Sequence, residues 1–166
     1  WYRDEQDRIF WVNSQIDENL LDLVKMIIRC NKEDKDKPVE ERVPIKVFID
    51  SPGGDVIVLW TTIKAIELSK TPVHTINYCT AYSAAGDLLV AGHKRYALPG
   101  TTVMVHSGSC MYGGTIEQAE SMKKYFDVEG VSYENLGYRE LKVYENTEAQ
   151  KIFNVTKLMQ TEKDSD

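Results

Sequence analysis

With 166 residues the chain is long enough for one α/β domain with a substantial core and too short for two comfortable ones. Apolar residues make up 42% and charged residues 28%, an ordinary globular balance. A net charge of -6 without a basic stripe argues against nucleic acid as the main partner. Apolar runs are broken every few residues, so no membrane span is expected, and the opening residues lack the pattern of a secretory leader. Cys30, Cys79 and Cys110 are odd in number and without CxxC spacing. They speak against a disulfide framework or a zinc site, and a cytoplasmic setting is the expectation.

In chain order, Arg8-Ile9-Phe10-Trp11-Val12-Asn13 has the aromatic and β-branched content of a strand. Asp17 reads as the N-cap of a helix whose apolar face is Leu20, Leu21, Val24, Ile27 and Ile28. Residues 31–44, dense in charge and with two prolines, read as an exposed loop within one domain. A strand over Ile45 to Asp50 leads through Ser51-Pro52-Gly53-Gly54 into a helix ending about Ser69. Pro72 to Tyr78 is the next strand, and Ala84 to Ala91 a helix closed by Gly92 as its C′ residue. Strands near 95–98 and 102–106 flank a Pro99-Gly100 turn. This alternation predicts α/β architecture with a largely parallel sheet. Ile116, Ala119, Met122 and Phe126 then make a narrow apolar stripe. It suits either a surface helix on the sheet or a projecting helix that meets a neighbouring subunit. Gly130 and Gly137 interrupt any pattern up to Gln150, and residues 160–166 read as a solvated polar tail.

Three places carry residues suited to chemistry. Ser83 follows a strand and opens a helix among small neighbours, where an exposed hydroxyl would sit beside free helical N–H groups. The bland alternative is a helix N-cap. His106 ends a strand before a Ser/Gly loop, and an imidazole is the usual base for a serine. His74, inside a strand, and His93, beside Lys94 and Arg95, compete for that role. The paired glycines of Ser51-Pro52-Gly53-Gly54 leave backbone N–H groups unobstructed for a phosphate or an oxyanion, without the lysine or spacing of a P-loop. A plain tight turn would look the same.

Order and spacing join these pieces. Ile49-Asp50-Ser51-Pro52-Gly53-Gly54, Ala81-Tyr82-Ser83, Ala91-Gly92, Lys94-Arg95, Leu98-Pro99 and Val103-Met104-Val105-His106 together resemble the proteolytic subunit of the Clp protease. That family reads I-N-S-P-G-G, A-A-S-M-G-A, L-L-x-A-G, K-R, L-P-N and M-I-H in the same order, and the likeness runs from about residue 8 to 114. The resemblance implies a Clp-protease/crotonase-like spiral of repeated ββα units, a single domain over 1–166, with a protruding handle helix at about 115–142. It implies Ser83 as nucleophile, His106 as general base, and the N–H groups of Gly54 and Ala84 as the oxyanion hole. It also implies heptameric rings, singly or stacked as a tetradecamer, whose inner chamber receives unfolded polypeptide from an AAA+ unfoldase. The peptidase itself would need no metal or other cofactor.

Several positions depart from the family pattern. Cys79 replaces a glycine, Tyr82 an alanine and Ala84 a methionine. In Tyr144-Glu145-Asn146-Thr147-Glu148, Asn146 stands where the family places the aspartate of its triad. Asp127, Glu145 and Glu148 are the other candidates for that role. The leading reading is an ATP-dependent serine endopeptidase. The alternatives are a catalytically weak ring subunit that assembles with an active partner, and an acyl-CoA enzyme of the crotonase type.

Overall fold

The computed structural model describes residues 3–4, 7–106, 116, 142–145 and 156–157. The chain divides into two compact units, Trp1–Met104 with Val143–Asp166, and Val105–Lys142. The strands are β1 (Arg3–Asp4), β2 (Ile9–Val12), β3 (Ile45–Ser51), β4 (Val73–Tyr82), β5 (Lys94–Ala97), β6 (Thr102–Val105), β7 (Lys142–Glu145) and β8 (Thr156–Lys157). The helices are α1 (Leu21–Glu33), α2 (Val56–Leu68) and α3 (Ala84–Ala91). The sheet runs β1-β2-β3-β4-β5-β8, with β6 pairing β4 and β7. β1 meets β2 antiparallel, whereas β2–β3, β3–β4, β4–β5, β4–β6 and β5–β8 are parallel. This is the α/β, largely parallel arrangement that the alternation of strand and helix predicts.

One face of the sheet carries the core. Along β3 the residues Ile45, Val47, Ile49 and Ser51 are buried and alternate with more exposed ones, the period-2 signature of a strand covered on one side. α2 supplies Leu59, Thr62, Ile63 and Ile66 at helical spacing, and Asp55 caps it by accepting the Ile57 and Val58 N–H groups at 2.8 and 3.0 Å. On β2, β3 and β4, Trp11 stacks on Phe48 (4.6 Å between centroids) and meets Tyr78 edge-on at 5.0 Å. Among the described residues no helix is long and apolar enough to cross a membrane.

Several local expectations are revised. Asp17 does cap, but it caps a 3-10 turn, Glu18–Leu20, that feeds α1. The buried face of α1 is Leu23, Met26, Ile27 and Cys30 rather than one including Ile28, which is 63% exposed. The 3-10 entry rotates the helix relative to a pattern counted from Leu20 at an α-helical period. Gly92 ends α3 with φ -61°, so no left-handed C′ geometry demands glycine there. A Cβ at Gly92 would instead stand 2.2 Å from Thr75 Oγ1, which donates to the Leu89 carbonyl at 2.6 Å. Of the expected handle, Ile116 is helical and exposed; the rest of that stretch before β7, and the tail at 160–166, lie outside the described residues.

Residues 31–44 are not an exposed loop throughout. α1 continues to Glu33, Val39–Glu41 forms a 3-10 turn, and Asp34 and Arg42 are buried. Asp34 gathers a network. Its two carboxylate oxygens receive the Arg8 guanidinium, one of them at 3.1 Å, and it also accepts from Lys37 Nζ and Thr71 Oγ1, each at 3.1 Å. Arg8, at φ 55°, further donates to the Val43 carbonyl at 2.9 Å. The network thus ties the start of β2 to the end of α1 and the approach to β3. The Arg8 hydrogen bonds hold the Asp34 carboxyl well below the usual carboxylate range. A depressed folded-state pKa contributes stability above the unfolded value, and that contribution fades as pH falls through the folded one. Asp34→Asn is expected to cost about 3–5 kcal/mol at pH 7, because it takes the principal anionic partner from the largely buried Arg8 guanidinium. Urea unfolding at pH 7 and pH 3 should show the gap between wild type and variant narrowing in acid.

Candidate active site

β4 is the strand on which the site is built. Along one edge it pairs with β3. Along the other it pairs first with β5 over His74 to Asn77 and then with β6 over Thr80 to Tyr82. Ser83 follows at once, and its N–H donates to the Met104 carbonyl at 2.8 Å, which continues the β6 pairing by one bond. At Ser83 the chain turns sharply into α3. The residue has φ 54° and ψ -126°, a conformation that side chains other than glycine rarely adopt and that costs on the order of 1–3 kcal/mol. Ser83 occupies the N-cap position of α3, yet its side chain makes no capping hydrogen bond to that helix. The N-cap role therefore does not account for the serine.

The Ser51-Pro52-Gly53-Gly54 turn lies directly against this elbow. Gly53 has φ 95°, and a Cβ there would stand 2.6 Å from the Tyr82 carbonyl oxygen, 2.8 Å from Ser83 Cβ and 3.0 Å from the Ala84 nitrogen. Ser51, fully buried, organises the turn: its Oγ donates to the Ser14 carbonyl at 2.7 Å and accepts the Gly53 N–H at 3.1 Å. On the far side the Ile16 backbone clasps the turn, with Ile16 N–H to the Gly53 carbonyl at 2.7 Å and Asp55 N–H to the Ile16 carbonyl at 2.9 Å. A Cβ on Gly54 would collide with that same Ile16 backbone, 2.2 Å from its oxygen.

Peptide planarity then fixes where two N–H groups face. In a trans peptide the N–H points opposite to the carbonyl it shares. The Gly53 carbonyl is turned toward Ile16, so the Gly54 N–H points away from Ile16. The Ser83 carbonyl is turned into α3, where it accepts from the Gly86 and Asp87 N–H groups at 2.8 and 3.3 Å. The Ala84 N–H accordingly faces out of the helix N-terminus, where the dipole favours negative charge. Ser83, Ala84 and the glycine turn are thus brought together.

Of the histidines, His74 lies nine residues before Ser83 on β4, on the order of 30 Å away along the strand. His93 stands at that same far end, its Nδ1 accepting the Val73 N–H at 3.0 Å. Burial lowers the pKa of both, and the neighbouring Lys94 and Lys46 lower that of His74 further. Neither is placed to serve Ser83. His106 follows β6 directly and is half-buried, in the unit formed by Val105–Lys142. Asn146, Asp127 and Glu148 lie outside the described residues, and Glu145 ends β7. Among the described residues no group of three metal-ligating side chains occurs.

Asp87 stands one helical turn beyond Ser83, and no motif in the sequence marks it. Burial pushes its carboxyl up to about 7. Its position in the first turn of α3 was visible; its desolvation, set by packing, was not.

A family model described as Clp protease matches residues 3–160, nearly the whole chain. The chain belongs to the Clp protease family.

Two predictions test this geometry. Gly53→Ala should destabilise by about 2–4 kcal/mol, combining backbone collision with positive-φ strain. Gly100→Ala, at φ 79° with open space around it, should cost only about 1 kcal/mol. Equal urea midpoints for the two variants would contradict the close packing at Gly53. For Asp87 the folded-state pKa is raised, so the carboxyl opposes folding as pH climbs from the unfolded value toward 7. Asp87→Asn is expected to raise Tm at pH 8 by roughly 3–6 °C, less any lost helix-dipole attraction, and to change it little at pH 4.

Proposed function

We propose that this chain is a serine endopeptidase acting on unfolded polypeptides, with Ser83 as nucleophile and His106 as general base. The observation that carries the reading is the Ser83 backbone itself, a strained non-glycine elbow between strand and helix, packed against a glycine turn. Membership of the Clp protease family supports a peptidase over an acyl-CoA enzyme. For the base, His74 and His93 stand at the wrong end of β4. His106 lies two residues beyond Met104, whose carbonyl takes the Ser83 N–H.

In this mechanism Ser83 Oγ attacks the scissile carbonyl carbon as His106 accepts the hydroxyl proton. The carbonyl oxygen gains negative charge and is held by the N–H groups of Gly54 and Ala84, each worth on the order of 3 kcal/mol to the transition state. Collapse of the intermediate breaks the C–N bond, and His106 gives its proton to the departing amine. A water activated by the same imidazole then releases the acyl group from Ser83. Asn146 would orient the His106 ring; its amide can fix a tautomer but cannot neutralise the imidazolium as a carboxylate does.

Family membership also suggests the wider setting. Subunits with the ββα spiral would form rings, in one layer or two, interlocked through the handle at about 115–142. An AAA+ unfoldase would deliver substrate to the enclosed chamber at the expense of ATP, in the cytoplasm.

A fluorophosphonate probe tests the nucleophile. Wild type should be labelled, and Ser83→Ala should not. Ser83→Ala and His106→Ala should each lower turnover of a small fluorogenic peptide by about 10³-fold or more. Undiminished labelling of Ser83→Ala would remove Ser83 from the mechanism. Full activity of His106→Ala would remove the histidine.

A further inference from the structure

The pairing of β3 with β4 is in step from Ile45↔Val73 to Ile49↔Asn77, and then breaks. The next pair is Ser51↔Ala81, so a single β3 residue, Asp50, stands against three on β4: Tyr78, Cys79 and Thr80. Such a bulge takes donors out of the ladder. Asp50 supplies what the ladder no longer does. Its Oδ1 accepts both the Thr80 N–H, at 3.2 Å, and the Thr80 hydroxyl, at 2.7 Å. Across the opposite edge of β4, the Asn77 side-chain amide donates to the Thr102 carbonyl at 2.9 Å, and the Asn77 backbone carbonyl accepts the Leu98 N–H at 3.0 Å. The bulge is therefore pinned from both sides, at the point where β4 passes from β5 to β6.

We propose that Asp50 is a positioning residue for Ser83, holding the β4 bulge through Thr80 so that the nucleophile elbow meets the Gly53-Gly54 turn. The proposal rests on the reading of Ser83 as nucleophile. Only Ala81 and Tyr82 separate Thr80 from Ser83. A strand advances about 3.3 Å per residue and alternates its faces, so a slip of one residue would displace Ser83 by about that distance and reverse its side chain. Misplacement of a reacting group by about 1 Å can already cost on the order of 10²-fold in rate. Asp50 touches neither substrate nor the reacting hydroxyl in this scheme; it acts through the backbone.

The chemistry of the contact selects the variants. Both partners are donors and both use Oδ1, so an amide at position 50 keeps an acceptor in place, whereas alanine removes it. Asp50→Ala is expected to lower kcat on a fluorogenic peptide about 10- to 100-fold with KM within about twofold. It should slow fluorophosphonate labelling to match. Asp50→Asn should stay within about threefold of wild type on both measures. Thr80→Val, which removes only the hydroxyl donor, should lie between them and serves if Asp50→Ala does not fold. Unchanged kcat in both Asp50→Ala and Thr80→Val would overturn the proposal, as would an Asp50→Asn as slow as the alanine variant. Amide hydrogen exchange separates this idea from the nucleophile assignment. Even if wild type were never labelled, faster exchange at Thr80 and Ser83 in Asp50→Ala, restored in Asp50→Asn, would uphold the role in holding the turn. Exchange identical to wild type in all variants would refute it.

Discussion

Two turns share one space in this fold, and the missing side chain of Gly53 makes that possible. Its Cα lies where any Cβ would press on the Tyr82 carbonyl, Ser83 Cβ and the Ala84 nitrogen, so the ends of β3 and β4 approach more closely than ordinary residues allow. The proposed chemistry depends on that contact. It sets the Gly53-Gly54 turn against Tyr82, Ser83 and the first residue of α3. The same turn is held from behind by Ile16 and from below by Ser51, so the approach is imposed from two sides. A conformation as costly as that of Ser83 persists only where its surroundings determine it this fully.

The elbow stands on a firm base. Ala84, Ala85, Leu88 and Leu89 of α3 are buried, and β4 carries hydrogen-bonded neighbours along both edges. Groups that stabilise developing charge work best when they need not reorganise as the charge appears. In the proposed mechanism the backbone amides of Gly54 and Ala84, anchored in a clasped turn and a packed helix, would meet that condition. On that proposal, Ala84 could stand where the family pattern carries methionine without loss of a donor, because the donor is the backbone N–H.

Much of this was legible in the sequence because it is written in local terms. Glycines 53 and 54 after a β-branched run, small residues around Ser83, and Asp17 before an apolar pattern each announce a backbone requirement. What escaped depends on partners distant along the chain. Ile28 looked like core because its spacing fits, and only the 3-10 turn before α1 turns it outward. The charged stretch at 31–44 hid a buried carboxylate because Arg8, its principal partner, lies 26 positions away. Position 50 read as an ordinary strand end, since a bulge on the neighbouring strand leaves no trace in the residue that compensates for it. Position 146 and all of the expected handle except Ile116 and Lys142 lie outside the described residues, so the family pattern alone speaks to them.

Gly92 offers a different lesson about constraint. Its backbone is ordinary, and the space a methyl group would need is filled by the Thr75 hydroxyl, which in turn satisfies the last turn of α3 through Leu89. Enlarging 92 requires shrinking 75, and shrinking 75 strands a buried carbonyl. Neither position is free to drift alone. Divergent relatives should therefore carry compensated pairs at these two sites, a correlated signature generated by volume and hydrogen bonding and unrelated to catalysis.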